Sequence, residues 1–342
     1  MISLPDILAG VIVVALNAYV LLAGADFGGG VWDLLARGPR RDAQREVIAE
    51  AIGPVWEANH VWLILALVVL FTAFPPVFAE LGTRLHIPFA LVLIGIVLRG
   101  SAFAFRSYGG EPSGVQLRWG HVFAIASAVT PLLLGTALGA IAAGRLGEAG
   151  SGNGNGFVAV YVRPWLAPFP ISVGILAIAC FSLLAAVYLT LESDERALQE
   201  DFARRALAAQ GVVIVCGLAA LGLARSASPQ LAQGLLKASS AVLVQGLAAL
   251  AALIVLVALV RRRFTIARIA AAVEASLILW GWALGQYPYI LPPDWTIDGA
   301  AAPAATLELL LGALAVGAVV LFPSLLYLFR VFKAKTMSDA VP

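Results

Sequence analysis

The chain has 342 residues, of which 61% are hydrophobic and 12% charged, with mean hydropathy +0.94 and a net charge of +2. Soluble domains carry about 25% charged residues, so this density cannot cover a water-soluble surface and implies a polytopic membrane protein. The small net charge excludes a basic nucleic-acid reader, and two cysteines, Cys180 and Cys216, each inside an apolar run, exclude a disulfide framework and a CxxC metal site.

A membrane helix needs about 20 mostly apolar residues. Taken in chain order, such segments fall at about 6–35, 54–80, 84–106, 119–143, 167–191, 205–224, 238–260, 266–287 and 304–332. They predict a single all-α membrane domain over 1–342 with nine spans. No basic residue precedes the first, so it reads as a retained span, not a cleaved signal. Odd-numbered loops and the C-terminus carry 16 Lys and Arg, and even-numbered loops carry 5. That asymmetry predicts an outside N-terminus and a cytoplasmic C-terminus. Residues 144–164 are a Gly-rich outer connector. The charged run 192–205 reads as an exposed cytoplasmic continuation of the fifth span.

Ionisable residues inside spans are costly, so function is sought there first. Asp26 stands among Gly24, Gly28, Gly29 and Gly30. The glycines weaken a helix but allow another backbone to come close. Asp26 reads either as a hydrogen-bonded cap at a tight crossing or as a group on a proton path. The second span opens Gly53-Pro54-Val55-Trp56-Glu57-Ala58-Asn59-His60-Val61-Trp62, with proline suited to a first turn. Trp56 and Trp62 suit interfacial anchors. They do not explain Glu57 and His60 so close to an apolar run. Arg106 can snorkel out of the third span. Arg99 lies about two turns deeper and needs a carboxylate, a lipid phosphate or a partner subunit.

Haem iron takes His, Met, Cys or Tyr ligands. The chain has three histidines, His60, His86 and His121, and its two methionines lie outside the spans. A His60/His121 pair is conceivable but is the lesser reading. No P-loop, GxSxG, HExxH or dinucleotide fingerprint stands up.

Together these motifs resemble subunit II of the cytochrome bd quinol oxidase family. Gly24, Asp26, Phe27 and Gly28 match its first motif; Gly53, Pro54, Trp56, Asn59, Trp62 and Leu63 its second; Leu98, Arg99, Gly100, Ala102, Phe105 and Arg106 its third. All three lie in the first third of the chain. Where the family has a first-motif acid this sequence has Ala23, and Glu57 and Ala58 stand where it has Asp and Gly. The resemblance implies two four-helix bundles plus a peripheral helix, in the cytoplasmic membrane of a prokaryote. It implies a partner, subunit I, carrying two haem b and one haem d, and allows a small accessory single-helix subunit. The complex would oxidise quinol and reduce oxygen to water with cytoplasmic protons. This chain would bind no haem or metal and hold no catalytic residue, with room for a structural quinone or lipid. Asp26 and Glu57 would line a proton route, supported by Asn59, His60, Trp62 and Arg99. The competing readings are a stand-alone proton-coupled transporter built on a broken helix and a structural scaffold. The first is disfavoured because no second broken helix stands at a corresponding later position.

Overall fold

The computed structural model describes residues 3–52, 56–107, 114–146, 156–237 and 239–338. Among these, eight helices are long and apolar enough to cross a membrane. They are α1 Leu4–Leu34, α6 His86–Ser107, α7 Gly114–Ala143, α9 Pro168–Glu192, α10 Arg196–Ala227, α12 Ser239–Val260, α13 Phe264–Gln286 and α14 Ala304–Ser338. Their outer faces are apolar: Val215 and Leu218 are each 66% exposed, a cost in water and none in lipid.

The second expected span, 54–80, is not one helix. Gly53, Pro54 and Val55 lie outside the described residues. The chain then forms α3 Trp56–Asn59, α4 Val61–Ala73 and α5 Pro75–Arg84. The break is at Phe74, with φ −134° and ψ 60°. A residue before proline is pushed out of the helical region, and Pro75 suits the first turn of the next helix. A ninth span exists only if Arg41–Ile52 and Glu57–Ala73 are counted as one broken crossing.

The charged run also differs from expectation. α9 stops at Glu192, and Ser193 (ψ 126°) and Glu195 (ψ 121°) are extended. The run therefore opens α10 and does not continue α9. Ser193 turns its hydroxyl onto the Leu189 carbonyl, and its own carbonyl accepts from the Gln199 side chain. Such local bonds compete with helix continuation.

Hydropathy does not reveal five short elements. α2 Arg41–Ile52 buries Gln44, Ile48 and Ile52, one face at four-residue spacing. α8 Phe157–Tyr161 lies in the Gly-rich connector between α7 and α9, of which residues 147–155 are outside the described set. α11 Pro229–Lys237 packs Gly234 against Gly285 of α13. β1 Tyr289–Leu291 pairs antiparallel with β2 Trp295–Thr296.

Loop contacts repeat the alternation read from charge. Arg40 of the first loop meets Asp201 at 2.7 Å, and Arg262 of the α12–α13 turn meets Glu200 at 2.7 Å. At the other end Ser3 donates to Asp298 at 3.1 Å, and the Ala302 amide donates to the Ala73 carbonyl at 2.8 Å. α1 packs on α4, α7, α9 and α13; α9 packs on α7, α10 and α13; α14 touches α1 and α4. α1 thus packs on neighbours from both halves of the chain.

Candidate functional site

The glycines of α1 set the geometry. The helix runs unbroken through them to Leu34, so Asp26 is an interior residue and not a cap. A side chain at Gly24 would strike the Phe181 ring, and one at Gly28 would enter the Phe181 carbonyl. Their absence lets α9 lie directly on α1. At Gly30 the approaching group is Ser127 of α7. Ser127 donates to the Phe123 carbonyl at 2.7 Å and accepts from Arg99 Nε at 3.2 Å. One glycine therefore fixes a hydroxyl that in turn fixes the Arg99 guanidinium.

Arg99 is 2% exposed. Its guanidinium carbon lies 4.8 Å from the Phe27 ring centre and 5.2 Å from that of Phe123. A cation between two aromatic faces is favoured most when desolvated. It also interacts electrostatically with Asp26 and Tyr19. Asp26, of the first motif, is the carboxylate whose charge acts on the guanidinium.

Asp26 is buried. Asn59 Nδ2 donates to its Oδ2 at 2.7 Å, and Asn59 is buried too. His60, half-buried, has Nδ1 3.4 Å from the Tyr19 hydroxyl and its ring edge-on to Phe27 at 6.0 Å. Trp62 is half-buried against the main apolar core. The indole of Trp56 and the side chain of Arg106 lie outside the described residues. Glu57 is exposed at the start of this short helical stretch. The structure thus gathers Asp26, Asn59, His60 and Arg99 around Phe27. Glu57 stands two residues from Asn59, on the surface.

Three contributors were not singled out from sequence: Tyr19, Phe123 and Ser127. Hydroxyls and aromatics in apolar helices are too common to stand out. Asp33 was missed as well. It is 1% exposed in the last turn of α1, where a carboxylate opposes the helix dipole. Arg45 of α2 answers it, with Nε 3.4 Å from Asp33 Oδ1.

The histidines occupy different settings. His60 faces Tyr19, His86 Nδ1 lies 2.8 Å from the Thr83 carbonyl, and His121 is exposed on α7. Among the described residues no three His, Cys, Asp or Glu side chains are grouped to hold a metal ion.

A family model described as cytochrome bd terminal oxidase subunit II matches residues 4–332. The chain is 33% identical over 135 residues to the cytochrome bd ubiquinol oxidase subunit 2 of Bacillus subtilis (strain 168). That alignment covers 40% of this chain and 39% of the relative, so it spans about two fifths of each. A putative cytochrome bd menaquinol oxidase subunit II from the same strain is 21% identical over 321 residues, 92% of this chain and 91% of its own length. The cytochrome bd-I ubiquinol oxidase subunit 2 of Escherichia coli (strain K12) is 32% identical over 126 residues, 37% of this chain and 32% of that one. In fold, the chain resembles the bd oxidase structure from Geobacillus thermodenitrificans, with TM-score 0.78 at 24% identity, covering 96% of this chain and 98% of that one.

Proposed function

The chain belongs to the cytochrome bd terminal oxidase subunit II family, and from that premise we propose that it is the haem-free membrane subunit of a quinol-oxidising, oxygen-reducing complex. It braces a haem-bearing subunit I and carries protons inward from the cytoplasmic side. In this reading its N-terminus is outside and its C-terminus cytoplasmic, and the helices divide into two four-helix bundles with α14 peripheral. The complex supplies all the haem chemistry. The three separate histidine settings support a chain without a haem of its own.

The observation that carries the proton role is the buried Asp26 with its two partners. A carboxylate in the membrane is retained only at a cost. Asn59 holds one oxygen by a neutral amide that cannot titrate. Arg99 supplies the compensating cation and is itself immobilised by Phe27, Phe123 and Ser127. The carboxylate, with the His60 imidazole beside Phe27, is therefore a group in this cluster suited to take and release a proton. Glu57, exposed at the end where the odd-numbered loops meet, is the entry group. A Glu at this position keeps the carboxyl and adds one methylene.

The test is steady-state oxygen consumption by the assembled complex with Asp26→Asn and Glu57→Gln. Each variant should retain a near-normal haem spectrum and lose turnover by roughly tenfold or more. The loss should grow as pH rises and protons become scarce, and should lie in turnover more than in quinol affinity. A fully haemylated variant with wild-type rates across pH would reduce that residue to packing.

A further inference from the structure

A second buried carboxyl lies in the other half of the chain, on α13. Glu274 is 3% exposed, and Gln210 of α10 is fully buried beside it. Gln210 Nε2 donates to Glu274 Oε1 at 2.8 Å. Around them stand Ala206, Ala209, Val213, Ala271 and Ala275, all buried. Among the described residues no Lys, Arg or His forms an ion pair with Glu274. The charged group nearest along its own helix, Arg268, lies over the Tyr188 ring at 4.8 Å. The titratable neighbour that feels Glu274 is the Cys180 thiol of α9. Asp26, one helix over on α1, is engaged with Asn59 and Arg99.

Two atoms of the pair remain without a hydrogen-bond partner: Gln210 Oε1 and Glu274 Oε2. An ionised glutamate only accepts, and so does the amide oxygen. With Glu274 ionised, both atoms stay unanswered and a lone charge sits in an apolar cage within the membrane, the costliest arrangement available. One added proton on Glu274 Oε2 removes both problems. It cancels the charge and supplies the missing donor to the missing acceptor, because the two unanswered atoms belong to the same two facing groups.

We infer that Glu274 holds a proton within the membrane, donating its O–H to Gln210 Oε1 while accepting from Gln210 Nε2, so that a neutral acid–amide ring clamps α13 to α10. Asp26 has a cation beside it and can be spent as a charge. Glu274 has no such partner among the described residues and keeps its proton. The site is independent of the proton role proposed for Asp26, and its test does not read turnover.

The protein is purified at neutral pH in its native assembly, as wild type, Glu274→Gln and Glu274→Leu. Infrared spectra of wild type minus Glu274→Gln should show a protonated-carboxyl C=O stretch that is lost in the variant. An antisymmetric carboxylate stretch in its place overturns the inference. Thermal unfolding gives an independent reading. Gln at 274 can rebuild both hydrogen bonds, so its midpoint should equal wild type, whereas Leu strands Gln210 and should lower it. A Glu274→Gln variant that fails to assemble, or unfolds as early as Glu274→Leu, also overturns the ring.

Discussion

Asn59 Nδ2 lies 2.7 Å from Asp26 Oδ2, across 33 residues of chain, so the second motif of the sequence meets the first. Asn59 closes the short helix Trp56–Asn59, which sets its amide against the carboxylate. Asn59→Leu removes that donor and leaves a buried carboxylate oxygen unanswered. It should cost about 1–3 kcal/mol, read as an earlier unfolding midpoint of the assembled complex. Asn59→Gln, which keeps an amide on a longer arm, should recover part of the loss. Equal midpoints for wild type and Asn59→Leu would show that the bond contributes nothing.

Arg99 and Asp26 should behave as a unit. Removing one member of a buried pair strands the other, at about 3–5 kcal/mol. Arg99→Met should therefore lower assembly yield sharply. Pairing it with Asp26→Asn removes both charges, and stability should largely return. Turnover should not return, because the amide cannot carry a proton. Arg99→Lys tests the remaining part. Lys keeps the charge but cannot lay a planar group between Phe27 and Phe123, so it should fall between wild type and Arg99→Met in midpoint.

What was legible in the sequence follows from what hydropathy can sense. Long apolar runs gave the ends of α1, α9, α12 and α13 to within a few residues. The same signal is blind to a helix lying along the boundary. α2 falls between spans because its composition is polar, although the apolar Ile48 and Ile52 stand one helical turn apart. Pro75-Pro76 is a break signal that the apolar context concealed. Within the site, Asp26, Glu57 and Arg99 stood out because charge is rare in spans. Ser127 did not, since its role depends on Gly30 lying against it. Glu274 was equally rare in its span and was passed over, being unaccompanied by a motif.

The small residues of α1 separate cleanly by environment. At Gly28 an added methyl enters the Phe181 carbonyl, a backbone atom that cannot swing aside. Gly28→Ala should force α9 off α1 at about 1–3 kcal/mol and reduce the yield of folded protein. At Gly30 the methyl meets Ser127, so Gly30→Ala should also loosen Arg99 and depress turnover beyond its effect on stability. Gly10 has nothing within 4 Å of such a methyl. Gly10→Ala should therefore stabilise the helix by up to about 1 kcal/mol. The ordering of the three unfolding midpoints checks all of this together, and it fails if Gly28→Ala unfolds no earlier than wild type.

Arg262 supplies a case in which two small terms oppose each other. It ends α12 with φ 55°, a left-handed conformation that glycine adopts freely. The Arg263 amide donates to the Ala258 carbonyl and the Arg262 amide to that of Leu259, the two bonds of a Schellman cap. A non-glycine residue there costs about 1–2 kcal/mol. Against this stands the ion pair with Glu200 at 2.7 Å, between side chains 70% and 41% exposed. Exposed pairs contribute about 0–1 kcal/mol and are screened by salt. The backbone term is the larger, so Arg262→Gly should raise the unfolding midpoint slightly. The gain should widen in high salt, where wild type loses its ion pair and the variant has none to lose. Arg262→Ala separates the terms, since it drops the ion pair and keeps the strained backbone. It should unfold no later than wild type at low salt, and match wild type at high salt. If Arg262→Gly lowers the midpoint at low salt, the Glu200 pair outweighs the cap, and the arginine stands there for the contact between two loops at one end of the molecule.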